Sequence, residues 1–477
     1  MRTAFVNPPF LPKFSRGQRS PGVTKSGTLY YPYWLTYACG WAQKSGFEVY
    51  LFDFVASKDN FVTAVKKIKK FNPQLVVIEA STPSIFNDLR FAKRIKRKLN
   101  CFVLLAGTHV SALPKWTLKQ APQIDAVAVG EYDQTVVDLA KALQKKADLN
   151  LVNGLVFREG KAIIANQPRA LLKNLDDFPF VSQIYQQFLN PKDYYFAAAD
   201  YPMVMMITGR GCPFGCFYCL YPQVMHGLKY RFRKPQNVVA EFEYIKTHLP
   251  EVKEVVIEDD TFTTNLPRVQ DICRLLIKNK NQLKWSTNVR VHLDLKTMRL
   301  MKQAGCRLLI VGYESGSQKV LNGMDKKIRL ADSLKFARNA KTAGLLVHGC
   351  FMVGNPGETR KTMQQTLEFA KTLDPDSAQF YPLFVYPGTR AFAWAERNGY
   401  LKTTNFNRWL NQAGGHQTVV DLPHLSAQDM MDFCNQAYRQ FHLRPAYLLK
   451  KLVQLIHHPD ESARSIRSAL RYFKNLL

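Results

Sequence analysis

The feature that most limits how this chain can fold is a repeated alternation of short apolar runs with helix-length segments. In the first part of the chain, the runs predict strands at 3–6, 48–52, 75–78, 102–105 and 126–129. The intervening segments predict helices at 33–45, 58–70, 84–99, 113–121 and 131–146. In the second part, the runs predict strands at 203–207, 254–258, 284–288, 307–312, 346–353 and 378–384. Strands that alternate with helices form parallel sheets, so the pattern predicts an α/β fold with two such sheets.

The two sheets define the expected domains. Residues 1–146 are predicted to form a doubly wound parallel sheet, and residues 203–390 an open sheet of six strands. Residues 147–202 are expected to hold a small hairpin with Glu-Gly at its turn, followed by a linker rich in proline and aromatic residues. Residues 391–477 are expected to be helical. A chain of 477 residues is long enough for several separate cores.

Composition is typical of a globular protein from a reducing compartment. Hydrophobic residues make up 46% and charged residues 22%, and no apolar run approaches the ~18 residues of a membrane span. The N-terminus has too short an apolar core for a signal peptide. Nine cysteines, an odd number with three in a metal-binding spacing, argue against a disulfide framework. We therefore expect a cytoplasmic location.

The net charge of +29 is the unusual global property. Lysine and arginine recur along the predicted helices at 65–71 and 92–99, in the segment 229–234 and in the tail after Arg439. Most of these residues are expected to lie on solvated faces, but the excess also predicts attraction to an anionic surface or substrate. No RNA-binding module with interleaved aromatic residues is present, so a membrane surface or an anionic small molecule is favoured over nucleic acid.

Three closely spaced cysteines form the strongest chemical signal. Cys212, Cys216 and Cys219 have the spacing CxxxCxxC and follow the predicted strand at 203–207 across a short loop. Three thiolates can hold a cubane iron–sulfur cluster while one iron stays open for a small molecule, whereas a structural zinc site needs four ligands. His226 is the one nearby candidate for a fourth ligand, and a zinc knuckle is therefore the alternative interpretation.

This cysteine spacing, with an aromatic residue at Tyr218, resembles the signature of radical S-adenosylmethionine (radical SAM) enzymes. In that family the open iron of a 4Fe-4S cluster binds the amino and carboxylate groups of S-adenosylmethionine (SAM). Reduction then cleaves SAM to a 5′-deoxyadenosyl radical. The resemblance implies a partial barrel over residues 203–390 and the cofactors 4Fe-4S cluster and SAM. It also implies an electron donor such as flavodoxin or ferredoxin.

Four further segments match the family at successive strand ends: IEDD at 257–260, STNVR at 286–290, VGYESG at 311–316 and MVGNPGET at 352–359. The acidic segment suits the ammonium group of SAM, and the polar segment after it suits the ribose hydroxyls and the carboxylate. The resemblance implies SAM contacts from Tyr218, Glu258, Asp259, Asp260, Ser286, Asn288, Arg290, Gly312, Glu314, Ser315, Gly354 and Pro356.

The first part of the chain resembles the cobalamin-binding domain that precedes many radical SAM domains. The resemblance is carried by the segments AGTHVSALP and AVGEYD at predicted strand ends. It implies cobalamin contacts from Asn7, Ser81, Thr82, Gly107, Thr108, His109, Ser111, Gly130 and Glu131. The DxHxxG motif of other cobalamin proteins is absent, so no axial histidine is expected from it. His109 is a contact to the nucleotide tail, a ligand of cobalt or an ordinary loop histidine, and a domain that binds nothing is the alternative for the whole half.

Four further features of the sequence lead to predictions about the site and the core. Residues 11–32 form a long basic loop with three glycines, in a position to cover a cofactor or substrate. His348 and Cys350 alternate on one face of a predicted strand, and they become candidates for substrate contact if that face lines the barrel lumen. Cysteines 39, 101, 273, 306 and 434 are predicted to be core residues. In the tail, a helical stripe is predicted to be buried rather than to anchor the chain to a membrane: Leu448, Leu449, Leu452, Val453 and Ile456.

The leading hypothesis is a cobalamin-dependent radical SAM enzyme that methylates an unactivated carbon of a lipid-like or other metabolite. The resemblance is loosely to members of hopanoid and porphyrin pathways. A cyclase, ligase or rearrangement enzyme without methyl transfer is the second hypothesis, and a non-catalytic iron–sulfur or zinc protein is the third. The basic tail and the 11–32 loop also predict weak, salt-sensitive contact with anionic lipid, which would place the protein at the periphery of the membrane.

Overall fold

The structure, a computed structural model, describes residues 1–457, with side chains through Gln454. Its N-terminal sheet has seven strands in the order β2-β1-β3-β4-β5-β6-β7. They are β1 (Arg2–Asn7), β2 (Glu48–Asp53), β3 (Leu75–Glu79), β4 (Phe102–Ala106), β5 (Ala126–Ala128), β6 (Leu155–Glu159) and β7 (Ala162–Ala165). The helices beside them are α1 (Tyr33–Lys44), α2 (Phe61–Phe71), α3 (Ile85–Lys98), α4 (Thr108–Ala112), α5 (Pro114–Gln120) and α6 (Asp133–Lys145).

The predicted doubly wound sheet is confirmed, with one addition. Strands β1 to β5 are parallel, and all five residues of β3 are buried, because helices cover both faces of the sheet. The hairpin β6–β7, predicted as a separate unit, pairs antiparallel with β5 and extends this sheet. The strand β5 is only three residues long, and Leu155, Val156 and Phe157 of the hairpin bury apolar side chains beside it.

The second sheet is the predicted six-stranded one, with the order β15-β14-β13-β12-β11-β8 and all neighbours parallel. The strands of this half are β8 (Met203–Met206), β9 (Gly209–Arg210), β10 (Arg231–Phe232), β11 (Glu254–Ile257), β12 (Lys284–Val289), β13 (Cys306–Glu314), β14 (Leu346–Val353) and β15 (Ser377–Pro382). The remaining helices are α7 (Val181–Phe188), α8 (Pro235–His248), α9 (Leu266–Lys278), α10 (Leu295–Gln303), α11 (Gln318–Gly323), α12 (Leu330–Thr342), α13 (Arg360–Leu373), α14 (Arg390–Arg397), α15 (Ala427–His442) and α16 (Pro445–His457).

The carboxyl ends of the two sheets face each other, as shown by contacts between loops that follow strands of each. Glu131, just after β5, accepts hydrogen bonds from both terminal nitrogens of Arg231, and Asp133 accepts from both terminal nitrogens of Arg210, at 2.7 and 3.4 Å. All four side chains are buried. Farther along the interface, the Tyr37 hydroxyl donates to the carbonyl of Ile207, immediately after β8. Both sets of strand-end loops therefore border one interdomain region.

The C-terminal helices differ from expectation in one respect. The segment Ser426-Ala-Gln-Asp429 predicts a helix cap, and α15 begins there: the Ser426 hydroxyl accepts from the Asp429 N–H, and the Asp429 carboxylate accepts from the Ser426 N–H. The predicted burial of the apolar stripe on α16 is wrong, because its described members are 48% to 63% exposed: Leu448, Leu449, Leu452 and Val453. The helix is held instead by its other face, where Tyr447 and Lys450 bond to residues of the 374–376 turn. The side chain of Ile456 lies outside the described residues.

None of the helices within residues 1–457 is long and apolar enough to cross a membrane. The core cysteines behave as predicted, since five of them are buried: Cys39, Cys101, Cys273, Cys306 and Cys434.

The interdomain ion pairs lead to a stability prediction. Replacement of Glu131 by alanine leaves two buried guanidinium groups short of a carboxylate, and we expect a loss of about 3–5 kcal/mol in the free energy of unfolding. Urea unfolding of wild type and variant measures it. The matched control is Asp138→Ala, which breaks the partly exposed pair with Arg169 and should cost about 1 kcal/mol or less. Equal losses for the two variants would contradict a special role of the buried pairs.

Candidate functional site

The loop that carries the three cysteines is held in a compact, partly buried form. Cys212 and Cys216 are buried and Cys219 is half-buried, and all three are free thiols. Gly211 has a φ of +87°, and a Cβ atom there would lie 2.3 Å from the carbonyl oxygen of Lys229. Only glycine fits both this backbone conformation and this close approach, so the turn into the first cysteine depends on it.

The donor set fits a cubane cluster better than a single metal ion. Among residues 1–457, no group of three His, Cys, Asp or Glu side chains is close enough to bind one ion. In a cubane each cysteine binds a different iron, so the three thiols need not converge on one point. Burial, together with Cys216 and Asp260, raises the pKa of Cys219, and burial raises that of Cys212 to about 11. Bound iron would lower the pKa values of these cysteines, because it stabilises their thiolate form.

The three acidic residues after β11 divide into two roles. The Asp259 carboxylate accepts from the backbone and hydroxyl of Thr208, at 2.5 and 2.6 Å. The Asp260 carboxylate accepts from the Gly211 N–H at 2.8 Å and pairs with Nδ1 of His226, also at 2.8 Å. Both therefore hold the cysteine loop, and their predicted contacts with SAM remain predictions.

Glu258 is the carboxylate of this group that remains available for a ligand. It accepts a hydrogen bond from the Asn288 amide at 3.2 Å and one from Arg19 at 2.8 Å, and it is buried. Burial raises the pKa of Glu258, against the opposite effect of the Arg19 charge. An ammonium group would satisfy this carboxylate in the same way as Arg19 does.

A second polar cluster lies at the end of β13. The Glu314 carboxylate accepts from the Tyr218 hydroxyl at 2.7 Å, from Nζ of Lys326 at 2.6 Å and from the Tyr381 hydroxyl at 3.2 Å. A Cβ atom on Gly312 would lie 2.2 Å from Oε1 of Glu314, so this contact requires glycine. The structure thus brings together three residues predicted from the sequence, Tyr218, Gly312 and Glu314. It adds Lys326 and Tyr381, for which the sequence carries no local signal.

Arg290 lies beside the cluster cysteines. Its Nη1 is 3.8 Å from Sγ of Cys216, its guanidinium stacks 3.7 Å from the centre of the Phe214 ring, and Nη2 donates to the carbonyl of Lys326. Its Nε–H has no acceptor among the described residues, and neither has the hydroxyl of the buried Ser286 on β12, the strand that Arg290 follows. Such orphaned polar atoms are what a bound carboxylate or ribose would satisfy.

The other residues predicted to contact SAM have partners within the chain. The hydroxyl of Ser315 is 3.2 Å from that of Thr366 and accepts from the backbone of Ser317. A Cβ atom on Gly354 would lie 2.4 Å from the sulfur of Met430, and Pro356 packs its carbonyl against Gly323. These residues shape the turns at the rim of the sheet. Their predicted contacts with SAM remain predictions.

Cys350 and His348 lie on the same face of β14 and have different neighbours. The pKa of Cys350 is raised to about 12 by burial and by Glu314, and the charges of Lys326, Arg19 and Glu258 also act on it. Cys350 therefore borders the same region as the acidic and basic groups described above. His348 pairs through Nδ1 with the Ser377 hydroxyl on the neighbouring strand β15, at 2.7 Å.

The predicted cobalamin loops are brought together at the carboxyl end of the N-terminal sheet. Nδ1 of His109 is 3.1 Å from the Thr82 hydroxyl, and the Ser111 hydroxyl joins the Gly107 carbonyl and the Gly130 N–H at 2.7 and 3.0 Å. Other members have structural partners: Asn7 bonds to Asp53 and Arg16, and Glu131 to Arg231. Ser81 bonds to Ser84, and Thr108 is buried beside His109.

Several polar atoms at this sheet edge have no partner within the part of the chain that the structure describes. They are Nε2 of His109, Oε2 of Glu79 and the hydroxyl of Tyr132. Burial lowers the pKa of His109 to about 3, so its imidazole is neutral at physiological pH. Burial raises the pKa of Glu79 to about 8, against the opposite effect of Arg16. These atoms fit the amide-rich rim of a corrin, and Glu79 and Tyr132 carried no such signal in the sequence.

Similarity to known proteins agrees with both halves. Residues 206–370 match the radical SAM superfamily, and residues 19–140 match the B12 binding domain. An uncharacterized methyltransferase of Pyrococcus horikoshii is 33% identical over 428 residues, which cover 89% of this chain and 90% of that protein. The anaerobic magnesium-protoporphyrin IX monomethyl ester cyclase of Cereibacter sphaeroides is 25% identical, over 96% of this chain and 72% of the cyclase.

Solved structures show the same fold. The radical SAM methyltransferase TsrM from Kitasatospora setae, with cobalamin and a 4Fe-4S cluster bound, superimposes with a TM-score of 0.72 at 17% identity. The alignment covers 93% of this chain and 89% of TsrM. The cobalamin-dependent enzyme OxsB, with aqua-cobalamin and SAM bound, gives a TM-score of 0.68 at 14% identity and covers 94% of this chain and 70% of OxsB.

The orphaned carboxyl of Glu79 predicts a particular pH dependence of stability. Its pKa is about 8 in the folded chain against an ordinary value of 4.5, so unfolding releases a proton between these values and stability falls as the pH rises. Glu79→Gln removes this loss, and we expect the variant to gain on the order of 4 kcal/mol over wild type at pH 8, with little gain below pH 5. Urea unfolding across this range measures the difference. Glu159→Gln, on the exposed end of β6, is the control, and parallel curves for wild type and Glu79→Gln would refute the shift.

Proposed function

The chain belongs to the family of cobalamin-dependent radical SAM methyltransferases, and from that membership we propose that it methylates an unactivated carbon of a small anionic or lipid-like molecule. The cofactors are a 4Fe-4S cluster, SAM and cobalamin. The observation that carries the proposal is the meeting of the two sheets at their carboxyl ends, where Arg19 of the N-terminal half reaches Glu258 of the second half. Ligands of parallel sheets bind at these ends, so both cofactor sites would open onto one interdomain chamber.

When bound, the cluster and SAM supply radical chemistry, and cobalamin supplies a transferable methyl group. The protein would bind and orient the cofactors and would shield them from water. Cys212, Cys216 and Cys219 would bind the cluster, on a loop that Asp259 and Asp260 keep in place.

The SAM site would be assembled from charged residues at the ends of two neighbouring strands of the second sheet. Glu258 would accept the ammonium group of SAM, and the free Nε–H of Arg290 would donate to its carboxylate. The loop 11–32, which is largely buried between the halves, would exclude water from the chamber. Water exclusion strengthens each of these charge contacts.

A cyclase that never transfers the methyl group is the second candidate. It is favoured by the 25% identity to the magnesium-protoporphyrin cyclase over 96% of this chain. The same chamber would serve both reactions, because each begins with hydrogen abstraction from the substrate. Products made with methyl-deuterated SAM distinguish the two: a methyltransferase forms 5′-deoxyadenosine and S-adenosylhomocysteine together and labels its product. Unlabelled product with 5′-deoxyadenosine alone would establish the cyclase instead.

The first functional prediction concerns the cluster. After anaerobic reconstitution, wild type should bind about four irons per chain, the number in a cubane cluster. The triple variant Cys212→Ala, Cys216→Ala, Cys219→Ala should bind none and should not cleave SAM. The matched control replaces Cys39, Cys273 and Cys434 by alanine, which are buried outside this loop, and should retain its iron. Iron retained by the first variant would end the assignment.

A second proposal concerns partners. The radical reaction requires a one-electron donor, for which a flavodoxin or ferredoxin is suited. The basic excess of +29 and the exposed stripe on α16 together suit a surface of anionic lipid. Leu448 and Leu452 would enter the headgroup boundary, while exposed basic residues elsewhere on the surface would meet the lipid charge.

The lipid contact is tested by co-sedimentation with phosphatidylserine vesicles at low and high salt. We expect binding at low salt and release at high salt, since each lysine or arginine at the surface contributes about 1 kcal/mol before screening. The double variant Leu448→Ser, Leu452→Ser should bind several-fold more weakly. The control is Leu151→Ser, an exposed leucine in the N-terminal half. Failure of wild type to bind at low salt would contradict the proposal.

A further inference from the structure

The long basic loop at 11–32 places a single arginine side chain on the carboxylate proposed for SAM. Nη1 of Arg19 donates to Oε2 of Glu258 at 2.8 Å, and Nη2 donates to the carbonyl oxygen of Asp259 at 2.6 Å. The side chain of Arg19 remains 35% exposed, whereas that of Glu258 is almost fully buried. The arginine is therefore the accessible partner of a buried acid.

The backbone around Arg19 is fixed, so the side chain is the part that can exchange. Arg16 forms a fully buried ion pair with Asp88 at 2.6 Å. The carbonyl of Gly17 accepts from the hydroxyls of Tyr33 and Tyr221. A guanidinium on this scaffold can leave Glu258 and turn within the chamber without unfolding the loop.

In the part of the chain that the structure describes, the other three carboxylates at these strand ends form no ion pair with a cation of the N-terminal half. Asp259 and Asp260 are bonded to the cysteine loop, and Glu314 is bonded to Lys326 and two tyrosines of its own domain. Apart from Arg19, Glu258 has only the neutral amide of Asn288. An ammonium that enters the chamber would therefore take Glu258, and in doing so it would replace Arg19.

Such an exchange leaves the carboxylate paired but the guanidinium uncompensated. The displaced Arg19 would lose its carboxylate partner while it remains only partly exposed, so an anion in the same region would restore the lost ion pair. The carboxylate of SAM has Arg290, whose Nε–H is free beside Cys216. The charge of Arg19 acts on the pKa of Cys350 and of Tyr30, so these two side chains lie near it. The freed guanidinium would remain among them, on the side of the interface that we assign to the substrate.

We propose that Arg19 is the substrate-recognition residue of this chamber. It stays paired with Glu258 until SAM binds, and it then binds an anionic oxygen group of the substrate, a carboxylate or phosphate. The inference rests on the proposed function and deepens it by naming the substrate class. It also orders binding, with SAM before substrate. Because coupling between two sites is reciprocal, an oxyanion at Arg19 must tighten the binding of SAM.

The test measures the affinity of the reconstituted protein for SAM from the change that SAM causes in the electron paramagnetic resonance spectrum of the reduced cluster. Each protein is titrated without added anion, with millimolar phosphate and with millimolar acetate at matched ionic strength. Arg19→Gln should bind SAM about tenfold more tightly than wild type without anion, because the internal competitor is gone. Phosphate or acetate should tighten SAM binding to wild type several-fold and leave Arg19→Gln unchanged, and the more effective anion identifies the group.

The matched control is Arg274→Gln, an exposed arginine of α9 paired with Asp271, which should behave as wild type. Equal iron content shows that the variants retain their fold. If Arg19→Gln loses iron, Arg19→Lys decides, since it keeps the charge and should keep the anion effect; its absence would overturn the inference. Unchanged or weaker SAM binding by Arg19→Gln also overturns it, and weaker binding would place Arg19 on the carboxylate of SAM. A wild-type cluster that binds no SAM refutes the proposed function itself.

Discussion

Two adjacent carboxylates at the end of one strand determine where the cysteines lie. Asp259 and Asp260 follow β11 and bond to Thr208 and Gly211, which precede Cys212. Because β11 is paired with β8 in fixed register, these hydrogen bonds hold the loop in a fixed position relative to the sheet. The cluster site is thus an extension of the sheet edge, and the neighbouring Glu258 is directed into the chamber from the same rigid base.

Charged residues lie buried in the interface between the two halves, beside aromatic ones. Glu131, Asp133, Arg210 and Arg231 are buried and mutually paired between the two halves. Pairs of this kind cost more in desolvation than apolar contacts do, but they tolerate few alternative alignments. They therefore suit an interface whose task is to align two cofactor sites, and the contact of Arg19 with Glu258 depends on that alignment.

The elements that the sequence predicts well are those whose signal is local. Both sheets, the cysteine loop and the Ser426 cap follow from periodicity, spacing and capping chemistry, and Gly107 and Gly312 lie where a side chain would collide with a neighbour. Contacts between distant segments were not predictable: Arg19 with Glu258, Lys326 with Glu314, and the orphaned Glu79. The stripe on α16 shows the opposite failure, since helical periodicity indicates an apolar face but not whether another element covers it.

The hairpin β6–β7 changes where the N-terminal unit ends. Without it, β5 would be the last strand of the sheet, and its three residues would present unpaired N–H and C=O groups to solvent. Open edges of this kind recruit strands from other molecules. A fragment cut after residue 146 would therefore be prone to self-association, whereas one that continues through Ala165 keeps β5 paired on both sides. During synthesis, the sheet likewise stays incomplete until this hairpin has emerged, so the linker that follows begins from a finished domain.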